Sequence, residues 1–178
     1  MDLAPPEALE SHRTFHELPM PELRSDTSGV KFPPPLVFVL GFAAGYALQR
    51  LVPVTVVPTA GRGLWQGLGW GLVAFGVALM GSAVVAFRRA GTTPNPTKPT
   101  TAFVTQGPYR FTRNPMYVGW VFIYVGADLL TRALWPLVLL PAVLFLMRRR
   151  VIALEEAYLE RKFTDDYRAY RARVRRWL

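Results

Sequence analysis

Residues 64–87 read LWQGLGWGLVAFGVALMGSAVVAF, a stretch without a single charge, closed at one end by Arg62 and at the other by Arg88 and Arg89. As a helix rising 1.5 Å per residue, such a run spans a hydrocarbon core of about 30 Å. This segment decides the fold class: an all-α, polytopic integral membrane bundle. Gly63, Gly67 and Gly71 recur at i, i+4. Small residues in a row let a neighbouring backbone approach closely, so these glycines are expected to form a helix–helix contact.

Working outward, a first apolar segment runs roughly from Leu36 to Val57, interrupted near its end by Gln49, Arg50 and Pro53. After Arg89 comes a polar Pro/Thr/Gly linker, Gly91 to Thr101. Two shorter apolar runs lie beyond it, Met116 to Leu130 and Leu134 to Met147, separated only by Thr131, Arg132 and Ala133. They read as a tight helical hairpin, giving about four transmembrane helices. Beyond Arg148 the helix is expected to leave the membrane and continue through Glu155 and Glu156 to Phe163. A last basic amphipathic helix is expected over Asp165 to Trp177. Trp65, Trp120, Trp135 and Trp177 stand near the expected borders, as interfacial anchors do. The chain thus divides into a disordered tail (1–35), two transmembrane helices (36–90), and a linker, hairpin and cytoplasmic helices (91–178).

The tail is rich in Pro, Glu and Ser and ends in Pro33-Pro34-Pro35, too polar to offset the entropy of ordering. It lacks the apolar core of a secretory signal. His12 and His16 share a helical spacing there but read as solvated, so no metal site is expected. The chain contains no cysteine, which excludes disulfides, thiolate nucleophiles and Cys-based metal centres. Hydrophobic residues make up 51% and charged residues 19% of the 178, with a net charge of +9. Beside bilayer-length apolar runs, that basic surplus points to anionic lipid rather than nucleic acid. With four spans, Arg88, Arg89, Lys98, Arg110, Arg113 and the ten basic residues after Met147 fall on one side, against Arg50, Arg62 and Arg132 on the other. The positive-inside rule puts both termini in the cytoplasm, and a bacterial inner membrane is the expected location.

Two stretches carry chemistry, and the topology puts them on the same face. The first is Gly107-Pro-Tyr-Arg-Phe-Thr-Arg-Asn-Pro-Met-Tyr-Val-Gly119. Asn114-Pro115 before an apolar run is a good helix start, Asn as N-cap and Pro at N1. Helix geometry leaves Tyr109, Arg110, Arg113 and Tyr117 unaccounted for. Free N–H groups at a helix start beside two arginines suit an anionic group, a carboxylate or a lipid phosphate. The second stretch, Arg148 to Phe163, holds Glu155 and Glu156 past the membrane exit. Local ion pairs would explain any single charge there, but a carboxylate near the membrane also suits ribose hydroxyls or a cationic ligand.

In this order and spacing the residues resemble the isoprenylcysteine carboxyl methyltransferase-like proteins. Arg113-Asn114-Pro115-Met116-Tyr117-Val118-Gly119 is similar to their Arg-His-Pro-x-Tyr-x-Gly signature. Gly91-Thr92, Val104-Thr105 and Gly107-Pro108-Tyr109-Arg110 match the approach to it. Arg150, Glu155-Glu156, Leu159, Phe163, Tyr167, Tyr170 and Val174 match the family's pattern on its C-terminal side. The related phospholipid N-methyltransferases share the paired glutamates. The resemblance covers Gly91 to Leu178. It implies S-adenosyl-L-methionine (SAM) bound at the cytoplasmic end of the bundle and a lipophilic acceptor arriving from the bilayer. Gly107, Tyr109, Arg110, Arg113, Asn114, Pro115 and Tyr117 would help form the cofactor pocket, with Glu155 and Glu156 beside them. Arg150 would orient the acceptor, and Arg150, Glu155 and Glu156 are the implied catalytic set. The chain departs from the pattern at Asn114, where the family usually has His, and less consequentially at Thr164, where it usually has Gly.

Transfer of a methyl group from a sulfonium is an in-line displacement that demands placement above all. A carboxylate acceptor needs no base; an amine or hydroxyl does, and the glutamates are the candidates. Two other classes share this architecture: an NADPH-dependent membrane reductase of the sterol-reductase type, and a non-catalytic membrane interaction protein. The acceptor and the oligomeric state are not fixed by the residues.

Overall fold

The computed structural model describes residues 26–55, 58, 61–95 and 98–178. His12, His16 and the rest of 1–25 lie outside them. The described residues form helices and no strand. The elements are α1 (Pro35–Leu51), α2 (Arg62–Arg89), a 3₁₀ turn (Gly107–Arg110), α3 (Pro115–Thr131), α4 (Trp135–Met147), a π turn (Arg148–Ile152) and α5 (Ala153–Arg173). Among the described residues only α2 is long and apolar enough to cross a membrane, while α1 and α3 are shorter apolar helices. Just 11% of the most apolar window of α2 is buried, so it is no core helix of a water-soluble fold. Leu64, Leu68, Trp70, Phe75, Val77 and Val85 all face outward from it. Large apolar surfaces left bare on this scale mark contact with lipid or another protein.

The helices pack in two pairs, α2 with α3 and α1 with α4. The first pair is antiparallel and held at backbone distance by glycine. A Cβ on Gly76 would sit 2.5 Å from the carbonyl oxygen of Gly119, and one on Gly126 would sit 2.7 Å from that of Gly69. The buried small residues of α2, Gly69, Gly76 and Ala83, recur every seven positions, as do Gly119 and Gly126 on α3. Seven residues are nearly two helical turns, which keeps the seam on one face. This corrects the expectation for Gly63, Gly67 and Gly71, where an added Cβ would meet no neighbouring element within 4 Å. They occupy a different face of α2 from the seam.

The polar break at the end of α1 has a structural task. Gln49 donates from Nε2 to the Val54 carbonyl (2.7 Å) and accepts at Oε1 from the Leu134 N–H (3.0 Å). Trp135 Nε1 donates to the Val52 carbonyl at 2.8 Å. The hairpin turns over Arg132, whose left-handed backbone (φ 55°) reverses the chain within three residues. Asp128, buried on α3, accepts a hydrogen bond from the Leu137 backbone and so caps the first turn of α4 from the neighbouring helix.

Three expectations change. Residues 26–35 are packed rather than mobile: Val30 sits in the core with Phe38, Tyr124, Leu140 and Met147. Asp26 takes an ion pair from Lys162 at 2.8 Å. The last helix ends at Arg173, not Trp177, and residue 174 is extended (φ −114°, ψ 130°). Thr164 breaks α5 with φ 30°, ψ −98°. It is therefore a consequential departure, because glycine adopts positive φ freely and a β-branched residue does not.

Candidate functional site

The stripe of buried residues along α4 advances through Leu140, Val143, Met147 and Val151, then steps one residue to Ile152 and Glu156. The step falls in the π turn, whose extra residue shifts the helical phase. Arg148, Arg149 and Arg150 thereby turn outward, while Glu155 and Glu156 turn into the molecule. Neither glutamate pairs with the local arginines.

They meet instead the turn that opens α3. Tyr117, in its first turn, donates from its hydroxyl to Glu155 Oε1 at 2.7 Å. Arg113 Nη1 lies 2.9 Å from Glu156 Oε1, both side chains only 11% exposed. Arg176 also pairs with Glu156, its Nε 3.0 Å from Oε1. Arg113, Tyr117, Glu155 and Glu156 border one cavity together with Tyr109, Asn114, Met116, Phe103, Tyr158, Tyr167 and Tyr170, while Arg176 reaches Glu156 without lining that cavity. The aromatic wall is self-supporting. Phe103 stacks on Phe163 (5.3 Å) and meets Tyr170 edge-on (5.2 Å), and Tyr170 donates to the Tyr109 carbonyl at 2.7 Å.

The two acids differ electrically. Glu156 is held between two guanidinium groups. Glu155 faces a neutral hydroxyl, and burial pushes its carboxyl up from 4.5 to about 7, against the opposing Tyr117 hydrogen bond and with a further push from the Glu156 charge. Burial, with the Glu155 charge adding to it, also drives the Tyr109 hydroxyl well above the usual phenol range, so it stays a donor. Arg113 Nε and Nη1 and the Tyr167 hydroxyl are buried without a well-aligned hydrogen bond, although Nη1 lies 2.9 Å from Glu156 and the Tyr167 hydroxyl stands against the Arg113 guanidinium. Unsatisfied donors around a cavity are costly unless a ligand meets them.

Of the residues singled out from sequence, the structure brings Tyr109, Arg113, Asn114, Tyr117, Glu155 and Glu156 to the cavity. Gly107, Arg110, Pro115 and Arg150 do not line it. Gly107 supplies the positive φ (61°) that starts the 3₁₀ turn, and Pro115 is buried as the first residue of α3. Arg110 and Arg150 are exposed. Asn114 precedes α3 as expected, but its side chain makes no cap. Its Nδ2 donates to the Arg176 carbonyl at 2.9 Å, a bond an imidazole N–H could also make. Sequence reasoning missed Arg176, Thr112 and Phe103. Among them only Arg176 left a trace, as a basic residue placed on the wrong element.

Among the described residues, then, the protein is helical, with one helix of membrane-spanning length and an aromatic cavity carrying paired acids and an arginine at one end of the α2–α3 pair. The family model of the phospholipid methyltransferases matches residues 64–166, more than half of the chain. The chain belongs to the phospholipid methyltransferase family, whose members are membrane-associated methyltransferases. An uncharacterized protein of Haemophilus influenzae is 67% identical over 27 residues, 15% of this chain and 43% of that protein, so less than half of that relative is spanned. No solved structure matches the chain.

Proposed function

We propose that the protein is a SAM-dependent membrane methyltransferase acting on a lipophilic acceptor, in a polytopic bundle whose α2, with α1, α3 and α4, occupies the bilayer. The observation that carries this is the convergence of Tyr117–Glu155 and Arg113–Glu156 on one cavity. The residues fit the cofactor's chemistry. Arg113, a cation in the cavity wall, suits a carboxylate, Glu155 suits a ribose diol or an ammonium, and the tyrosine-rich wall suits a purine or a sulfonium cation. When bound, SAM supplies a methyl group on a sulfonium that departs as a neutral thioether.

The chain's own part is placement and proton transfer. Arg113 fixes one end of the ligand, and Tyr117 holds Glu155 at a set angle. With an amine or hydroxyl acceptor, the acceptor gains the methyl carbon and loses a proton to Glu155. A group titrating at about 7 is ionised often enough to take that proton and basic enough to hold it. A carboxylate acceptor would leave Glu155 without that task. Family membership weighs against the reductase reading.

The test is calorimetric titration of S-adenosylhomocysteine into detergent-solubilised protein, with transfer of label from methyl-labelled SAM into membrane extracts. Micromolar binding and a labelled lipid support the reading. No binding at high micromolar ligand, with NADPH protecting against thermal unfolding instead, would overturn it.

A further inference from the structure

Residues 174–178 lie beyond the stretch matched by the family model. They nevertheless touch the site at several points. The chain leaves α5 at Val174 and runs beside residues 112–114, with Thr112 and Arg175 bridged in parallel. The Arg113 N–H donates to the Arg175 carbonyl at 2.9 Å. Thr112 Oγ1 and Asn114 Nδ2 both donate to the Arg176 carbonyl, at 3.1 and 2.9 Å. The Arg176 side chain then forks onto both oxygens of Glu156, which itself lines the cavity. One short extended segment thus ties the turn opening α3 to the paired acids of α5.

Consider the charges around Glu156. Its carboxylate has two oxygens; Arg176 engages both and Arg113 engages one. While Arg176 holds the fork, Arg113 cannot take up the carboxylate as a bidentate partner. Arg113 therefore meets Glu156 through Nη1, and its buried Nε stays without an acceptor. Without Arg176, Arg113 is free to swing fully onto Glu156 and satisfy itself internally. An ammonium cannot reproduce the planar fork.

We propose that residues 174–178 are a strap that holds the turn opening α3 to Glu156 and that Arg176 is a positioning residue: by occupying Glu156 it keeps Arg113, which lines the cavity, available to the carboxylate of the bound ligand. The proposal rests on the methyltransferase reading, since it gives Arg113 an anionic partner. Arg176 is 27% exposed, so its place is open to solvent. A small guanidinium ion can enter it.

The experiment compares Arg176→Ala, Arg176→Lys and the control Arg173→Ala, whose exposed guanidinium bonds the Ala169 carbonyl within α5. S-Adenosylhomocysteine affinity is measured by calorimetry, and hydrogen exchange of residues 112–118 is followed without ligand. Arg176→Ala is expected to weaken binding by about tenfold or more, the scale of a lost charged hydrogen bond. Millimolar guanidinium restores part of it, Arg176→Lys falls between, and Arg173→Ala binds as the parent does. In the unliganded protein, Arg176→Ala speeds exchange at 112–118 and leaves α2 unchanged. Equal affinity in Arg176→Ala and Arg173→Ala overturns the proposal while the methyltransferase reading stands. If the parent protein itself binds no S-adenosylhomocysteine, that reading fails. The strap is then judged by exchange alone: faster exchange supports it and unchanged exchange ends it.

Discussion

The α2–α3 seam and the cavity beyond its end are built on opposite principles. Along the seam, glycine faces carbonyl oxygen, with the backbones so close that one added methyl would overlap them. Nothing there is charged, and shape alone sets the register. Around the cavity, Tyr117, Arg113, Arg176, Glu155 and Glu156 are drawn together from distant parts of the chain by hydrogen bonds and ion pairs. Some donors there remain unmet. The seam is satisfied and rigid; the cavity stores unmet polar demand. Binding sites are placed on rigid scaffolds for this reason, since a ligand can gain only from groups the fold has left unsatisfied.

The largest effect should come from breaking the seam. Gly76→Leu places a side chain where even a Cβ would lie 2.5 Å from the Gly119 oxygen. Overpacking of this kind should cost about 3 kcal/mol or more, because the obstacle is backbone and cannot rotate away. Gly67→Leu, with nothing within 4 Å, should leave the unfolding temperature in detergent nearly unchanged. Equal damage from both would mean that the Gly67 face is covered after all.

The cavity should respond in the reverse manner, losing function before stability. Arg113→Ala leaves Glu156 still paired to Arg176. Methyl transfer should fall by about 100-fold, as when a charged hydrogen bond is lost, while the unfolding temperature drops by only a few degrees. A fall in stability as large as that of Gly76→Leu would erase the distinction between the two regions. Next comes Glu155. A protonated carboxyl cannot accept a proton, so with an amine or hydroxyl acceptor the rate should climb with pH through a midpoint of about 7. Glu155→Gln should remove that limb. A parent profile that is flat from pH 6 to 8 would point to a carboxylate acceptor. For stability the sign is opposite. The folded state binds the proton more tightly than the unfolded chain, so the Glu155 contribution is complete below pH 4.5 and is lost as pH rises through about 7.

Sequence reading reached the cavity's two walls because each is local. The turn from Gly107 to Gly119 and the pair Glu155-Glu156 are recognisable by residue type and order alone. Their meeting required a topology with both on one face. What escaped was everything set by phase or by long reach. The glycine seam recurs every seven residues, and an i, i+4 reading selected Gly63, Gly67 and Gly71 instead of Gly69 and Gly76. The π turn that faces Arg150 outward leaves no mark in composition. Residues 174–178 continue a basic, aromatic pattern typical of a helix face. Only their bonds to residues 112–114 make them a strap. Residues 26–35 looked too polar to order, yet Val30 is buried and Asp26 is anchored by Lys162.

The smallest effect tests a part that belongs to neither region but joins them. Thr164 is exposed and sits at the break in α5 with φ 30°, beyond which Tyr167 and Tyr170 fold back onto the cavity. A β-branched residue held at positive φ stores strain on the order of 1–3 kcal/mol. Glycine removes that strain but adds freedom to the unfolded chain, which returns up to about 1 kcal/mol. Thr164→Gly should therefore gain about 1 kcal/mol, seen as a modest rise in unfolding temperature, with methyl transfer unchanged. Thr164→Ala should gain nothing, because alanine keeps the Cβ that makes the conformation costly. If alanine stabilises as much as glycine, the strain lies in the threonine's branching rather than in the backbone turn. The break would then be dictated by what flanks it, with Tyr167 and Tyr170 pulling residue 164 into shape from the cavity side.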